Sequence, residues 1–356
     1  MDTRTWAEKT GKWFEKKLLL FIVLSIAGGI LLGFTLPGTA QSLRRYINFT
    51  LYLMLYPMMV GIQIEKVAQA AREIKAISFS FVFNFVLSPL LGWALAMLFL
   101  RQYPDFAAGL ILLAATPCAG MVVGWTGLAR GNVPLALVIV VVSLLLSILT
   151  IPVTMLVLAG ALVHIDITGM LKGTLAVILA PLLAGDITRR LILARWGPDG
   201  FQAIRPLLPP LSMLGMFGII LISVANGAPR ITSDWSGMLM AAPALAGFYL
   251  LQMVAAMTAS RRIGFKPGDV IALTNAVAGK NISLALGLAV HFFSPVTAAM
   301  LAVNPLFQAP VMAWFYRWSV RLQTVKTVQG AASGTGGKRG DNVRPVKQIG
   351  TGTRGK

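Results

Sequence analysis

Residues 106–128 read FAAGLILLAATPCAGMVVGWTGL, and residues 269–290 read DVIALTNAVAGKNISLALGLAV. Each is long and apolar enough to cross a bilayer, which takes about 20 helical residues. Each also carries a helix-breaking cluster near its middle: Thr116-Pro117-Cys118-Ala119-Gly120 in the first, Ala278-Gly279-Lys280-Asn281 in the second. Proline removes a backbone donor and clashes with the preceding turn, and glycine loses more entropy in a helix than other residues. One such cluster is an ordinary kink, since Gly and Pro are frequent in membrane helices. Two at matching places point to a pair of broken helices.

The rest of the chain fits around these stretches. Of 356 residues, 56% are apolar and 12% charged, and the mean hydropathy is +0.76. Soluble domains carry about 25% charged residues, so this composition excludes a soluble globular protein. Ten spans are expected: 18–36, 47–64, 76–100, 106–128, 133–159, 170–188, 207–225, 236–259, 269–290 and 295–317. The first is preceded by Lys9, Lys12, Lys16 and Lys17, like a signal peptide, but is longer than a signal core of about 7–15 residues. Placing both termini in the cytoplasm leaves only Arg44, Arg45, Arg101, Lys172 and Arg230 on the outer side. That asymmetry obeys the positive-inside rule. The fold class is therefore an all-α polytopic membrane protein, expected in a bacterial inner membrane. Its domains are a cytoplasmic N-terminus (1–17), a first five-helix repeat (18–160), an inverted second one (169–318) and a disordered basic tail (323–356). Inverted five-plus-five repeats are a transporter layout, with broken helices at the midplane.

The net charge of +19 is spread over many loops rather than one face, so nucleic acid is not an expected partner. The tail's Gly336-Gly337-Lys338-Arg339 lacks the Ser/Thr and the preceding strand of a phosphate-binding loop. The tail is read as merely solvated, or as touching anionic lipid. One cysteine and two histidines exclude an intrachain disulfide and argue against a metal centre, so no cofactor is expected. No acid falls at the middle of an expected span, which excludes the usual carboxylate proton relay. An enzyme would need a nucleophile with a base or a metal motif, and the spans offer neither.

Lys280 is the one ionisable group expected deep in the bilayer. It either snorkels to the surface or forms a fixed positive charge in a cavity. There it would attract an anion, stand in for a metal cation or lose its proton. Cys118 is either a packing thiol or a soft contact for a neutral solute. Thr116, Thr126, Asn281 and Ser283 are polar neighbours at the breaks. Asn84 and Gln308 are further polar groups in apolar runs, and each of these residues either bonds a neighbouring helix or serves the site.

The run from Thr116 to Asn132 (TPCAGMVVGWTGLARGN) resembles the fourth span of the Acr3-type arsenite efflux transporters of the bile acid/sodium symporter superfamily. Asn84–Leu91, Tyr56–Met59 and Asn304–Val311 resemble the third, second and tenth spans. The likeness covers about residues 15–320. It implies a core of spans three to five and eight to ten, a panel of spans one, two, six and seven, and broken helices four and nine that cross. It also implies a required cysteine, matched by Cys118. Sodium-coupled relatives carry Ser-Asn where this chain has Val122-Val123, and their span-nine Glu and Gln fall on Ala276 and Lys280. Acr3 members carry Glu at the position of Ser283. The expectation is a sodium-independent secondary transporter exporting arsenite or antimonite, with proton exchange through Lys280. Its substrate site would comprise Thr116, Pro117, Cys118, Ala119, Gly120, Lys280, Asn281 and Ser283. The alternative is a carrier of a small organic anion with Lys280 as counter-charge.

Overall fold

The computed structural model describes residues 3–63, 65 and 72–334, with side chains from residue 9 to 320 apart from Lys12, Glu15 and Lys16. The described residues are helical almost throughout, and they form no β-strand. The helices are α1 (Thr3–Thr35), α2 (Pro37–Leu43), α3 (Ile47–Val60), α4 (Ile74–Val82), α5 (Ser88–Phe99), α6 (Pro104–Ala115), α7 (Met121–Leu128) and α8 (Val133–Ala159). They continue as α9 (Ile167–Ile204), α10 (Leu208–Ser233), α11 (Trp235–Arg262), α12 (Pro267–Ala278), α13 (Ile282–Phe292), α14 (Pro295–Val303) and α15 (Pro305–Gly334).

Six helical stretches are long and apolar enough to cross a membrane: Lys17–Thr35, Ile74–Phe99, Val133–Ala159, Ile167–Ser233, Trp235–Arg262 and Pro295–Val320. The 67 residues of Ile167–Ser233 would extend roughly 100 Å as one rod, about three times the bilayer core. The chain interrupts it at Gly197, which takes φ 66°. Two shorter apolar helices, α6 and α13, have 12 and 11 residues and reach only about half-way through a bilayer.

Local chemistry sets the boundaries. Asn132, Asp166 and Ser294 cap α8, α9 and α14 by accepting from Leu135, Gly169 and Thr297 N–H groups. Pro104 and Pro267 open α6 and α12, followed by Asp105 and Asp269 in the first turn, where a negative charge favours the helix dipole. In α4–α5 the helix widens to a π turn over Phe83–Leu87. Pro89 lies four residues beyond Phe85, and its ring crowds that carbonyl.

Two groups of helices pack together. In one, α10 lies along α1 and α3, and α3 along α9. Gly33 lets α1 approach the Ala225 carbonyl and Ala228 where a Cβ would collide, and Gly215 does the same for α10 against Thr50 and Met54. The other group packs α5, α6, α8, α11, α12 and α14.

The helix that carries the first span begins at Thr3, ahead of its apolar stretch Lys17–Thr35, which agrees with the expected 18–36. Two features differ from the expectation. Asp186, expected at a span end, lies inside α9, buried to 9% exposure and bonded to Arg190 at 2.6 Å. The final helix continues to Gly334, past the position 323 where the tail was expected to start. Residues 335–356 lie outside the described residues.

Candidate functional site

The first break is built by Pro117. The residue before a proline is driven out of the helical region, and Thr116 is extended at φ −71°, ψ 149°. Helix α6 therefore ends at Ala115. Thr116 Oγ1 turns back to donate to the Leu113 carbonyl at 2.6 Å. Cys118 follows, 1% exposed, with Sγ 3.2 Å from Ser143 Oγ on α8. Beyond it, a side chain added at Gly120 or Gly124 would meet nothing within 4 Å, so this face of α7 borders open space.

No proline makes the second break. Gly279 (φ −85°, ψ 66°) ends α12. Asn281 then starts α13 as its cap, Oδ1 accepting from Leu284 N at 3.0 Å. The two breaks lie side by side. Ala119 N donates to Gly279 O at 2.8 Å and Asn281 N to Pro117 O at 2.9 Å, an antiparallel bridge between Cys118 and Lys280. Each non-helical stretch thus satisfies backbone groups of the other, as buried peptide groups in lipid require.

Lys280 is fully buried; it does not snorkel. Its Nζ donates to Asn84 Oδ1 at 3.0 Å, Ala114 O at 3.1 Å and Thr116 O at 3.2 Å. These three bonds use all three ammonium donors. Ala114 and Thr116 stand at the C-terminal end of α6, where free carbonyls and the negative end of the helix dipole favour a cation. Asn84 comes from the π turn, a geometry frequent at functional sites. On the other side, Gln308 Nε2 donates to Lys280 O at 3.2 Å, and Tyr249 Oη–H to Gln308 Oε1 at 3.3 Å.

The structure therefore brings Thr116, Pro117, Cys118, Ala119, Lys280 and Asn281 into one buried crossing. Gly120 and Ser283 lie at its partly exposed rim. Thr126 bonds Asn275 instead, at 3.3 Å. Sequence reasoning left Asn84 and Gln308 open between helix bonding and a site role, and both touch Lys280. It missed Ser143, Tyr249, and Ser88, whose hydroxyl bonds Ala114 O at 3.1 Å and Gln252 Oε1 at 2.9 Å. The one signal for these was a polar residue in an apolar run. Asn281 Nδ2 is buried without a hydrogen-bond partner among the described residues. Val122 and Ala276, both fully buried, share an apolar cluster with Cys118, Leu273 and Val277.

Charged groups elsewhere pair conventionally. Arg189 on α9 holds Glu65 with bonds of 2.6 and 3.0 Å, and this hydrogen bonding keeps the Glu65 carboxyl below its ordinary range.

The sodium bile acid symporter family model matches residues 48–234, more than half of the chain. The chain belongs to that family. Members of the sodium bile acid symporter family are membrane transporters of small solutes, not enzymes, and the apolar helices make this member a multi-pass membrane protein. It is similar to the arsenical-resistance protein Acr3 of Corynebacterium glutamicum, at 24% identity over 84% of this chain and 87% of that one. To Acr3 of Alkaliphilus metalliredigens the identity is 24%, over 87% and 93%. To the probable sodium/metabolite cotransporter BASS1 of Arabidopsis thaliana it is 25%, over 89% and 77%.

Proposed function

We propose that the protein is a sodium-independent carrier that exports arsenite or antimonite across a bacterial inner membrane. In this reading it crosses the membrane ten times as two inverted five-helix repeats with both termini cytoplasmic. The α1, α3, α9 and α10 group is the panel, the other group is the core, and α6–α7 and α12–α13 are its crossing broken helices. The observation that carries the reading is the crossing itself. A thiol, an unpartnered amide donor and a fully bonded ammonium meet where two half-helices end, beside the open glycine face of α7. Cys118 supplies a soft sulfur for a trivalent arsenic or antimony centre, and the Asn281 amide supplies a donor for its hydroxyl oxygens.

Two further points favour this over the organic-anion alternative. Arsenite is neutral at physiological pH, and Lys280 has no N–H left for a carboxylate. Val122 and Ala276 leave apolar surface where the resemblance puts sodium ligands. With three neutral acceptors and no carboxylate to hold its charge, fully buried Lys280 is the group through which proton exchange would run.

The test is growth of an arsenite-sensitive host expressing the protein, paired with everted-vesicle uptake of arsenite, antimonite and a panel of organic acids in Na⁺ or K⁺. We expect arsenite and antimonite uptake equal in both salts and abolished by Cys118→Ala. Full resistance with Cys118→Ala, a strict sodium requirement, or uptake of organic acids alone would overturn the reading.

A further inference from the structure

A polar pocket lies away from the crossing, where α3 and α10 of one helix group meet the end of α13 and the start of α14. Its volume is about 30 Å³. A single enclosed water needs about 10–15 Å³ of such space. The pocket therefore takes an occupant of one or two water sizes and no organic solute.

Three features of its lining favour a negative charge. Ser223 on α10 is 4% exposed, and its hydroxyl has no hydrogen-bond partner among the described residues. Burying a hydroxyl without a partner is costly, and a ligand that accepts its proton offsets that cost. Arg44 stands exposed at the mouth, and no acid lines the pocket to cancel its charge. The other basic groups nearby are engaged: Arg45 lies 5.1 Å from the centre of the Tyr46 ring, and Arg230 pairs with Asp105 at 3.7 Å. Pro295 and Ala298 bring in the first turn of α14, a helix of nine residues, whose dipole presents its positive end there. The amide of Asn226 is a tie rather than a ligand, since Nδ2 donates to Ala40 O at 2.9 Å and Ile222 O at 2.8 Å. The remaining walls, with Ile47, Ile222 and Phe293 among them, are apolar and disfavour strongly hydrated or multiply charged ions.

We propose that this pocket binds one chloride-sized anion, held by the Ser223 hydroxyl, the Arg44 guanidinium and the first turn of α14. The volume sets the size and the single guanidinium sets the charge. Because α3 and α10 belong to one helix group and α14 to the other, the bound anion fastens the two groups together. It does so at the end of the molecule that the reading above places outside. The inference uses neither Cys118 nor Lys280 and does not depend on which solute is carried.

The test uses full-length protein purified in detergent: wild type, Ser223→Ala, Ser223→Thr and Arg44→Gln. Sodium chloride, bromide or acetate is titrated into a sodium gluconate background at constant ionic strength and pH, without arsenite, and thermal unfolding is followed. Wild type is expected to gain a saturable rise with chloride and bromide, on the order of 2 °C at tenfold excess over Kd, and none with acetate. Ser223→Thr keeps a hydroxyl and should keep the rise, whereas Ser223→Ala and Arg44→Gln should lose it. In gluconate alone Ser223→Ala should unfold no lower than wild type, because the hydroxyl it removes has no partner. Equal wild-type midpoints in all four salts would leave only a water-filled seam and overturn the proposal. So would an equal rise with acetate, a rise that survives Ser223→Ala, or a Ser223→Ala protein that does not fold. Because the test contains no arsenite and leaves Cys118 intact, it and the Cys118 test of transport can fail separately.

Discussion

The two breaks solve the same problem by different chemistry. Both leave helix ends in the middle of an apolar protein, where unpaired peptide groups are costly. In the first, Pro117 compels the break, and the carbonyls released at Ala114 and Thr116 find their donor on the other helix, in Lys280. In the second, nothing forbids a helix sterically. Gly279 relaxes it and Asn281 restarts it, capping α13 from within. The first break is determined by a residue, and its freed carbonyls rely on a side chain of the other helix; the second is only encouraged by its residues and caps α13 itself, but still pairs its Gly279 O and Asn281 N with the first break. The difference lies in the side chains: α6 draws on Lys280, whereas α13 draws only on main-chain groups of the first break.

The largest effect should follow from removing that donor without offering space for a replacement. Lys280→Met keeps the stem and strands the Asn84 and Thr116 oxygens, while Ala114 O keeps its bond from Ser88. At about 1–3 kcal/mol for each stranded group, we expect a loss of at least about 2 kcal/mol. Thermal unfolding in choline chloride measures it, and a midpoint within a degree of wild type would show that the ammonium does not hold the α6 end.

Gly279→Ala comes next. A Cβ there would meet Val122 Cγ2 and, at 2.8 Å, the Asn275 carbonyl. Overpacking of this kind costs about 1–3 kcal/mol. Adding Val122→Ala should recover part of the loss, since residues in contact couple. If the double variant is no better than the single one, the clash with Asn275 decides the geometry and the two breaks are less tightly seated than the bridge implies. Asn281→Ala should cost about 1 kcal/mol through the lost cap. Asn281→Ser keeps a capping oxygen but deletes the amide donor. It should leave the midpoint near wild type while lowering arsenite uptake, and equal losses in both would reduce Asn281 to a cap.

This asymmetry also explains what the sequence disclosed. Pro117 acts through backbone sterics and Gly279 through backbone entropy, both properties of residue type, so the break positions were legible. The partners of Lys280 were not, because two of the three are carbonyls, which every residue carries and no residue type marks. Asn84 stood out in its apolar run, but its reach to position 280 depends on how α4–α5 packs against the second break, which no single residue marks. Ser88 and Ser143 look like ordinary helix-packing hydroxyls. The helix ends that differed have one cause: charge ends a membrane span but does not end a helix. Lys16 and Lys17 did not stop α1, and Asp186, Arg189 and Arg190 did not stop α9, which runs on until Gly197.

The smallest effect is expected outside the crossing, at Glu65–Arg189, and it sharpens the contrast through pH. The carboxyl of Glu65 is held below its ordinary value of 4.5 by Arg189. A depressed carboxylate stabilises the folded state above the unfolded-state value, and that contribution is lost as pH falls through the folded one. Glu65 is half exposed, with a side-chain exposure of 49%, so screening limits the pair to about 1 kcal/mol or less. Glu65→Gln should therefore lower the midpoint slightly and by a constant amount from neutral pH down to the ordinary carboxylate range, and the two proteins should converge only in stronger acid. The bonds at the crossing run from an ammonium to neutral oxygens, so acid leaves them intact. If Glu65→Gln instead shifted the midpoint as much as Lys280→Met, the α9 contact with the α3–α4 loop, rather than the crossing, would be the principal fastening of the fold.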